Sequence, residues 1–438
     1  MEATRNYSVS LLARVSAGGS MQALSRTIGL GFIALCLLSV ALKAFVPLPS
    51  SLAYAPVDLG FAAKPQPVEI VIWYGTEKKL WLEEAVRLFA LSTPTVGTRP
   101  ISIKLVGLGS RELADRVARR AWGNDPPPDV VSPASSVWTE ALRSDWAARG
   151  GGAIFSGEPV PLVLTPLVAV AWEERASLIW PNGTTAFWQA LSEAISAKGG
   201  WAEVATQRGF APGSPQHTKA EGWGFVKFGH TSPLTSNSGT QTLALLTYAY
   251  YQKTANLRSD DIEAPAFQNW LESIERATLD FGESTGTLMT NMVRFGPSRF
   301  DVVMVYENLA IEGVENAQRQ WNQPIHIYYP PATMLSDHPY AILDTPLTTA
   351  DERAAAEHFR DFLLSEPLQT LALQYGFRPA NPQVTLTSGG STNPFSKLAA
   401  YGLQVDIAQQ VETPSSEVTR ELIELWERRI APLTLKQP

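Results

Sequence analysis

Between Val68 and Ser136 the chain alternates two kinds of apolar segment. VEIVIWYG (Val68–Gly75) is short and β-branched, the pattern of a buried strand. TEKKLWLEEAVRLFALS follows. Its Leu80, Leu82, Ala85, Val86, Phe89 and Ala90 stand near helical spacing, and Thr76 is placed to cap it. ISIKLVGLGS (Ile101–Ser110) reads as a second strand and RELADRVARRAWGN as a second helix. PPPDVVSPASS (Pro126–Ser136) holds a short third strand ending in a serine-rich turn. Strands that succeed one another across helices pair in parallel, so this order constrains the segment to an α/β layer. In such sheets ligands meet the carboxyl ends of the strands. Here those ends are Tyr74-Gly75-Thr76, Gly109-Ser110 and Ser132 to Ser136.

The α/β pattern returns further on. EPVPLVLTPLVAVAWEE (Glu158–Glu174) is extended and proline-marked, and suits a crossover between domains. WGFVKFGH reads as a strand that enters the polar loop KFGHTSPLTSNSGTQT (Lys227–Thr242). TLALLTYAYY is apolar nearly all round, the mark of a buried helix. A helix start carries unpaired N–H groups and partial positive charge, so a loop rich in Thr, Ser and Asn at such an end can hold an anion or a polar small molecule. Plain N-capping is the competing use of the same residues. FDVVMVYENLAI (Phe300–Ile311) reads as a strand ending at Tyr306-Glu307, and PIHIYYPPATMLSDHPYAILD (Pro324–Asp344) as the return crossover. The remainder is helical: a capping box at Thr349–Glu352, a C-cap at Gly376, and a last helix opened by Thr413 and Pro414.

Of the 438 residues 45% are hydrophobic, enough for real cores, and the net charge of −7 argues against a nucleic-acid partner. The single cysteine, Cys36, rules out an intrachain disulfide and a Cys-based zinc site. The apolar run Ile28–Val46 follows Arg5, Arg14 and Arg26. That pattern is a transmembrane anchor or a signal peptide, with the bulk of the chain outside the cytoplasm. Residues 1–26 are then cytoplasmic, 27–48 the anchor or signal peptide, and 49–67 a linker. Leu35 immediately before Cys36 argues against lipid attachment.

AAAEHFRDFLLSEPLQTLALQYGFRPANP (Ala354–Pro382) resembles the C-terminal signature of bacterial extracellular solute-binding proteins, the receptors of ABC importers. KFGHTSPLTSNSGTQT, MVYEN and SDHPYAIL are similar to the family's ligand-facing loops and second crossover. The resemblance extends from about Val68 to Pro382 and is nearest to the molybdate, sulfate and phosphate binders. It implies a two-lobed α/β fold of the type 2 periplasmic-binding class, with a hinge of two crossovers. Lobe one would be 68–165 with 330–438, and lobe two 166–329. The ligand-binding positions it implies are Tyr74, Gly75, Thr76, Ser132, Ser135 and Ser136, then Thr231, Ser236, Asn237, Ser238 and Gly239, then Tyr306 and Glu307. The strand ends and helix starts pick out the same set.

Neutral donors at those positions suit an oxyanion or another small polar solute, delivered to an ABC permease. Glu307 runs against an anion unless it serves a structural purpose, and a Glu307 facing the ligand favours an amine-bearing or hydroxylated solute. Lys78, Lys79 and Arg111 lie near the loops and read as a solvated helix face. No cofactor or metal is expected. A membrane-tethered sensory module is the alternative use of the fold. A hydrolase is a lesser one, resting on His230 near Ser232 and Ser236, without a G-x-S-x-G elbow or an H-E-x-x-H motif.

Overall fold

The computed structural model describes residues 65–278, 281–321, 323–388 and 390–434. The cytoplasmic segment, the anchor or signal peptide and nearly all of the linker lie outside them. No helix among the described residues is long and apolar enough to cross a membrane.

Among the described residues twelve strands form two sheets. They are β1 (Val68–Gly75), β2 (Thr95–Val96), β3 (Arg99–Leu108), β4 (Val130–Ser132), β5 (Val160–Pro161), β6 (Val163–Trp172), β7 (Phe228–Gly229), β8 (Val302–Tyr306), β9 (Ile325–Tyr328), β10 (Leu335–Ser336), β11 (Pro339–Ile342) and β12 (Arg378–Pro379). The first sheet has the order β2-β3-β1-β4-β11-β5. β1 runs parallel to β3 from Val68↔Ile101 to Gly75↔Leu108 and parallel to β4 at Ile72–Tyr74, as the alternating sequence requires. The second sheet has the order β10-β6-β8-β7, with β9 and β12 also on β6. Leu167 to Ala171 and Val302 to Val305 are fully buried, so β6 and β8 read as apolar runs because both faces of this sheet are covered.

The helices that matter below are α1 (Lys79–Leu91), α2 (Ser110–Ala118), α3 (Ser136–Ala148), α4 (Asn237–Tyr251), α5 (Thr285–Phe295), α6 (Glu307–Trp321), α7 (Ala350–Leu364), α8 (Glu366–Gln374) and α9 (Ser416–Arg429). The capping box of α7 forms as expected: Glu352 N donates to Thr349 Oγ1, and Thr349 N donates to Glu352 Oε2.

The chain crosses from the first sheet to the second between β5 and β6, and returns between β10 and β11. The crossings touch: Leu162 N donates to His338 O at 3.3 Å. β12 lies antiparallel on the start of β6, Arg378↔Leu164. Gln369 of α8 fastens this junction. Its Nε2 donates to Leu162 O, and its Oε1 accepts from Ala380 N and Asn381 N. Two lobes thus meet at a doubly crossed, hydrogen-bonded hinge.

Three expectations need correcting. WGFVKFGH is regular only at Phe228–Gly229. Buried Asp301 captures the Lys227 N–H at 2.9 Å while Asp301 N binds Lys227 O, so the backbone there serves a side chain. The last helix is capped by Ser415, whose Oγ accepts from Val418 N, rather than by Thr413. And 330–438 is not a block of lobe one. Phe395, Leu398, Val418, Leu422 and Trp426 pack in the core of the second sheet, because α9 turns most of its apolar face to α4.

Candidate functional site

The boundary between the lobes has two unlike sides. On one, the start of α4 packs directly against the first lobe. Ser238 Oγ lies 2.7 Å from Thr231 Oγ1 and 2.6 Å from Thr285 Oγ1, with Ser236 Oγ 3.3 Å away. These hydroxyls are buried and satisfy one another. Ser236 precedes α4 without a side-chain cap. A Cβ on Gly239 would come within 2.2 Å of Thr231 O, so the chain must be bare there. Asn237 reaches across: its Oδ1 accepts from Trp138 Nε1 of α3 at 2.8 Å, and its Nδ2 donates to Tyr306 OH at 2.9 Å. Ser135 caps α3 through Val137 N, and Ser136 N donates to Asp337 Oδ1 at 2.8 Å. A Cβ on Gly109 would come within 2.3 Å of Thr235 O. The loops from the two lobes are in direct contact at these points.

On the other side a groove of about 990 Å³ opens between the lobes. Thr76, Leu80 and Tyr375 line it from the first lobe, and Met289, Asn308 and Glu312 from the second. Thr76 is the only one of the thirteen expected positions that lines it. Gly75, at the turn into Thr76, lies under the Glu77 carboxylate, which a Cβ would meet at 2.4 Å. Tyr74 is buried, and burial with Glu83 and Glu77 nearby pushes its phenol up to about 12. Ser132 is buried at the end of β4, its hydroxyl without a partner among the described residues.

Glu307 is structural. Arg378 donates to both its oxygens, at 2.8 and 2.7 Å, and Tyr329 OH donates as well. Burial pushes the Glu307 carboxyl up, and Arg378 opposes that shift. The pair ties α6 to β12, so the Arg of the YGFRPAN motif has a mechanical explanation. Tyr306 is likewise buried behind the closed side, and burial followed by the Glu77 charge raises its phenol.

Lys78 corrects the reading of a solvated face. It is fully buried, 2.7 Å from Glu77 Oε1, 3.2 Å from Pro133 O and 3.2 Å from His338 Nδ1. Burial alone would raise the Glu77 carboxyl, yet Lys78 and His338 hold it down at about 2. Burial, then Lys78, lowers the His338 imidazole. His338 sits at a crossing with φ of 42°, in the left-handed region that few non-glycine residues adopt. This triad escaped the sequence because Lys78 and His338 are 260 positions apart. A lysine directly after the strand–turn Gly75-Thr76-Glu77 was the one available hint.

His230 has no nitrogen to spare for a serine. One lies 2.8 Å from Thr231 O and the other 2.8 Å from Glu275 Oε2. Among the described residues no group of three or more His, Cys, Asp or Glu is placed to hold a metal.

A family model described as bacterial extracellular solute-binding protein matches residues 70–378. No curated protein matches the sequence. Among solved structures the chain is similar to a periplasmic thiamin binding protein, at 13% identity and a TM-score of 0.55, covering 83% of this chain and 96% of that one. It is similar to the substrate binding protein of an ABC transporter from Agrobacterium tumefaciens, at 13% identity and a TM-score of 0.53, covering 85% and 96%. It is also similar to iron-bound HitA from Pseudomonas aeruginosa, at 14% identity and a TM-score of 0.51, covering 83% and 100%. At these identities the likeness is one of fold.

Proposed function

Because the chain belongs to the bacterial extracellular solute-binding proteins, we propose that it captures a small polar solute in the cleft between its lobes and passes it to the permease of an ABC importer. The family binds solutes rather than converting them, and it works outside the cytoplasm. The lobes divide at Leu162 and at Asp337–His338, with α9 shared between them. The run Ile28–Val46 serves as the tether or as the export signal.

One observation carries this reading: the open groove lies between elements of the two sheets, next to the crossings about which such lobes close. An oxyanion was expected from the hydroxyls of Thr231, Ser236 and Ser238. In this conformation those hydroxyls bond one another and Thr285, so they supply no free donor set.

The test is a thermal-shift screen of the full chain against oxyanions, sugars, amino acids, amines and metal chelates. A true solute at a hundred times its Kd stabilises by about 2.7 kcal/mol. A flat response to every class sinks solute capture. A tethered sensor is the second reading, and the apolar run near the N-terminus is what favours it. Uptake of the identified solute that survives deletion of this protein would move the weight to the sensor.

A further inference from the structure

We propose that the open groove accepts a solute carrying a protonated amine on an apolar body. This rests on the solute-binding reading and names the chemical class for that site.

The argument starts at Asn308. Its side chain is 4% exposed and lines the groove. Nδ2 donates to Glu77 O at 3.1 Å, which fixes the amide orientation, since a flipped amide would set two oxygens against each other. That leaves Oδ1 buried with no partner among the described residues. An unpaired buried acceptor costs about 1–3 kcal/mol, and a donor brought by a solute would relieve it.

Glu312 stands four residues further along α6, on the same helix face, and also lines the groove. It makes no ion pair among the described residues, and its carboxyl is raised by desolvation alone. Glu312 and Asn308 Oδ1 therefore form two adjacent acceptors without donors. An ammonium, with three N–H groups, matches both.

The positive end of α6 does not reverse this. The Glu307 carboxylate already occupies that helix start, held by Arg378. Nor do the rim cations. Lys79 faces Glu83 at 4.0 Å, and Arg319 is met by Asn316 Oδ1 and Glu315. Arg294 has its guanidinium over the Phe295 ring, 5.2 Å from the ring centroid. The walls between, from Leu80, Met289, Val293 and Tyr375, offer apolar surface for the body of the solute.

The probe is 2-phenylethylamine, compared with phenylacetate and sulfate, by calorimetry on the full chain at pH 7. Phenylethylamine should bind saturably and phenylacetate at least tenfold more weakly. Glu312→Gln, at an exposed position that leaves packing intact, should weaken the amine about tenfold, the loss of one charge-assisted contact. Asn308→Leu should weaken it as well and leave any phenylacetate binding unchanged. Absent amine binding overturns the proposal, as does amine binding indifferent to Glu312→Gln. Sulfate or phenylacetate binding without the amine would overturn the class and leave solute capture standing. The failure of solute capture itself is read separately, in a flat response to the broad screen.

Discussion

The two sides of the interlobe boundary use similar residues and spend most of them differently. On the closed side, Thr231, Ser236, Ser238 and Thr285 pair with one another, and Asn237 pairs with Trp138 and Tyr306. On the open side, Asn308 Oδ1 is buried without a donor beside a groove of about 990 Å³. Polarity alone does not mark a binding site. A hydroxyl-rich loop can be spent on holding its own helix start, and a buried polar atom still owed a partner beside an open groove is the better pointer.

The contrast can be broken most forcefully at Glu307, buried between Tyr306 of the closed side and Asn308 of the open one. Arg378→Met would strand the buried carboxylate and should cost about 3–5 kcal/mol in urea unfolding. A cost under about 1 kcal/mol would free Glu307 from its clamp and return it to the ligand candidates.

Acid probes the floor between the sides. Glu77 has its folded pKa lowered from 4.5 to about 2, so its contribution is present above pH 4.5 and lost as pH falls through 2. His338, lowered by burial, destabilises in the same direction as it charges. Stability should drop on the order of 3 kcal/mol over that window. Glu77→Gln should lose most of that acid limb when melting is followed from pH 5 to pH 2. Identical profiles would mean that the triad does not govern it.

Ser238→Ala leaves Thr231 and Thr285 short of a partner and should cost about 1–2 kcal/mol of stability, with solute affinity unchanged. A lost affinity in a folded protein would move the site back to the closed side. The smallest effect is expected from Trp138→Phe. It removes one interlobe hydrogen bond, worth about 1 kcal/mol, and should make the lobes easier to part. Small-angle scattering of the free protein checks this, and an unchanged envelope would mean that the bond does not restrain opening.

Much of the fold was legible because its signals are local. Val68 to Ser136 alternates short β-branched apolar runs with segments of helical period, and the prolines of Glu158–Glu174 and Pro324–Asp344 mark extended crossings. The site was legible only as a neighbourhood. Strand ends and helix starts pointed to the interlobe boundary, but hydrogen-bond satisfaction is decided by residues far away in sequence. Thr285 comes from 47 positions beyond Ser238, Trp138 from 99 before Asn237, and Arg378 from 71 beyond Glu307. No periodicity carries that information. The expected anchor or signal peptide falls outside the described residues and stands as the sequence left it.

The C-terminal helix α9 changes what kind of machine the two lobes make. Val418, Leu422, Leu425 and Trp426 sit in the second core, while Ile423 sits in the core that holds Trp138 and Leu142 of α3. Two bodies joined only by strands side by side can swing freely about that line. A third attachment off the line removes the free swing. The lobes must then pivot around α9 like a door with a stay, or drag Ile423 from its socket at about 1.5–3 kcal/mol. Ile423 on α9 is thus the contact to trim if the stroke of the lobes is to be lengthened without touching either crossing.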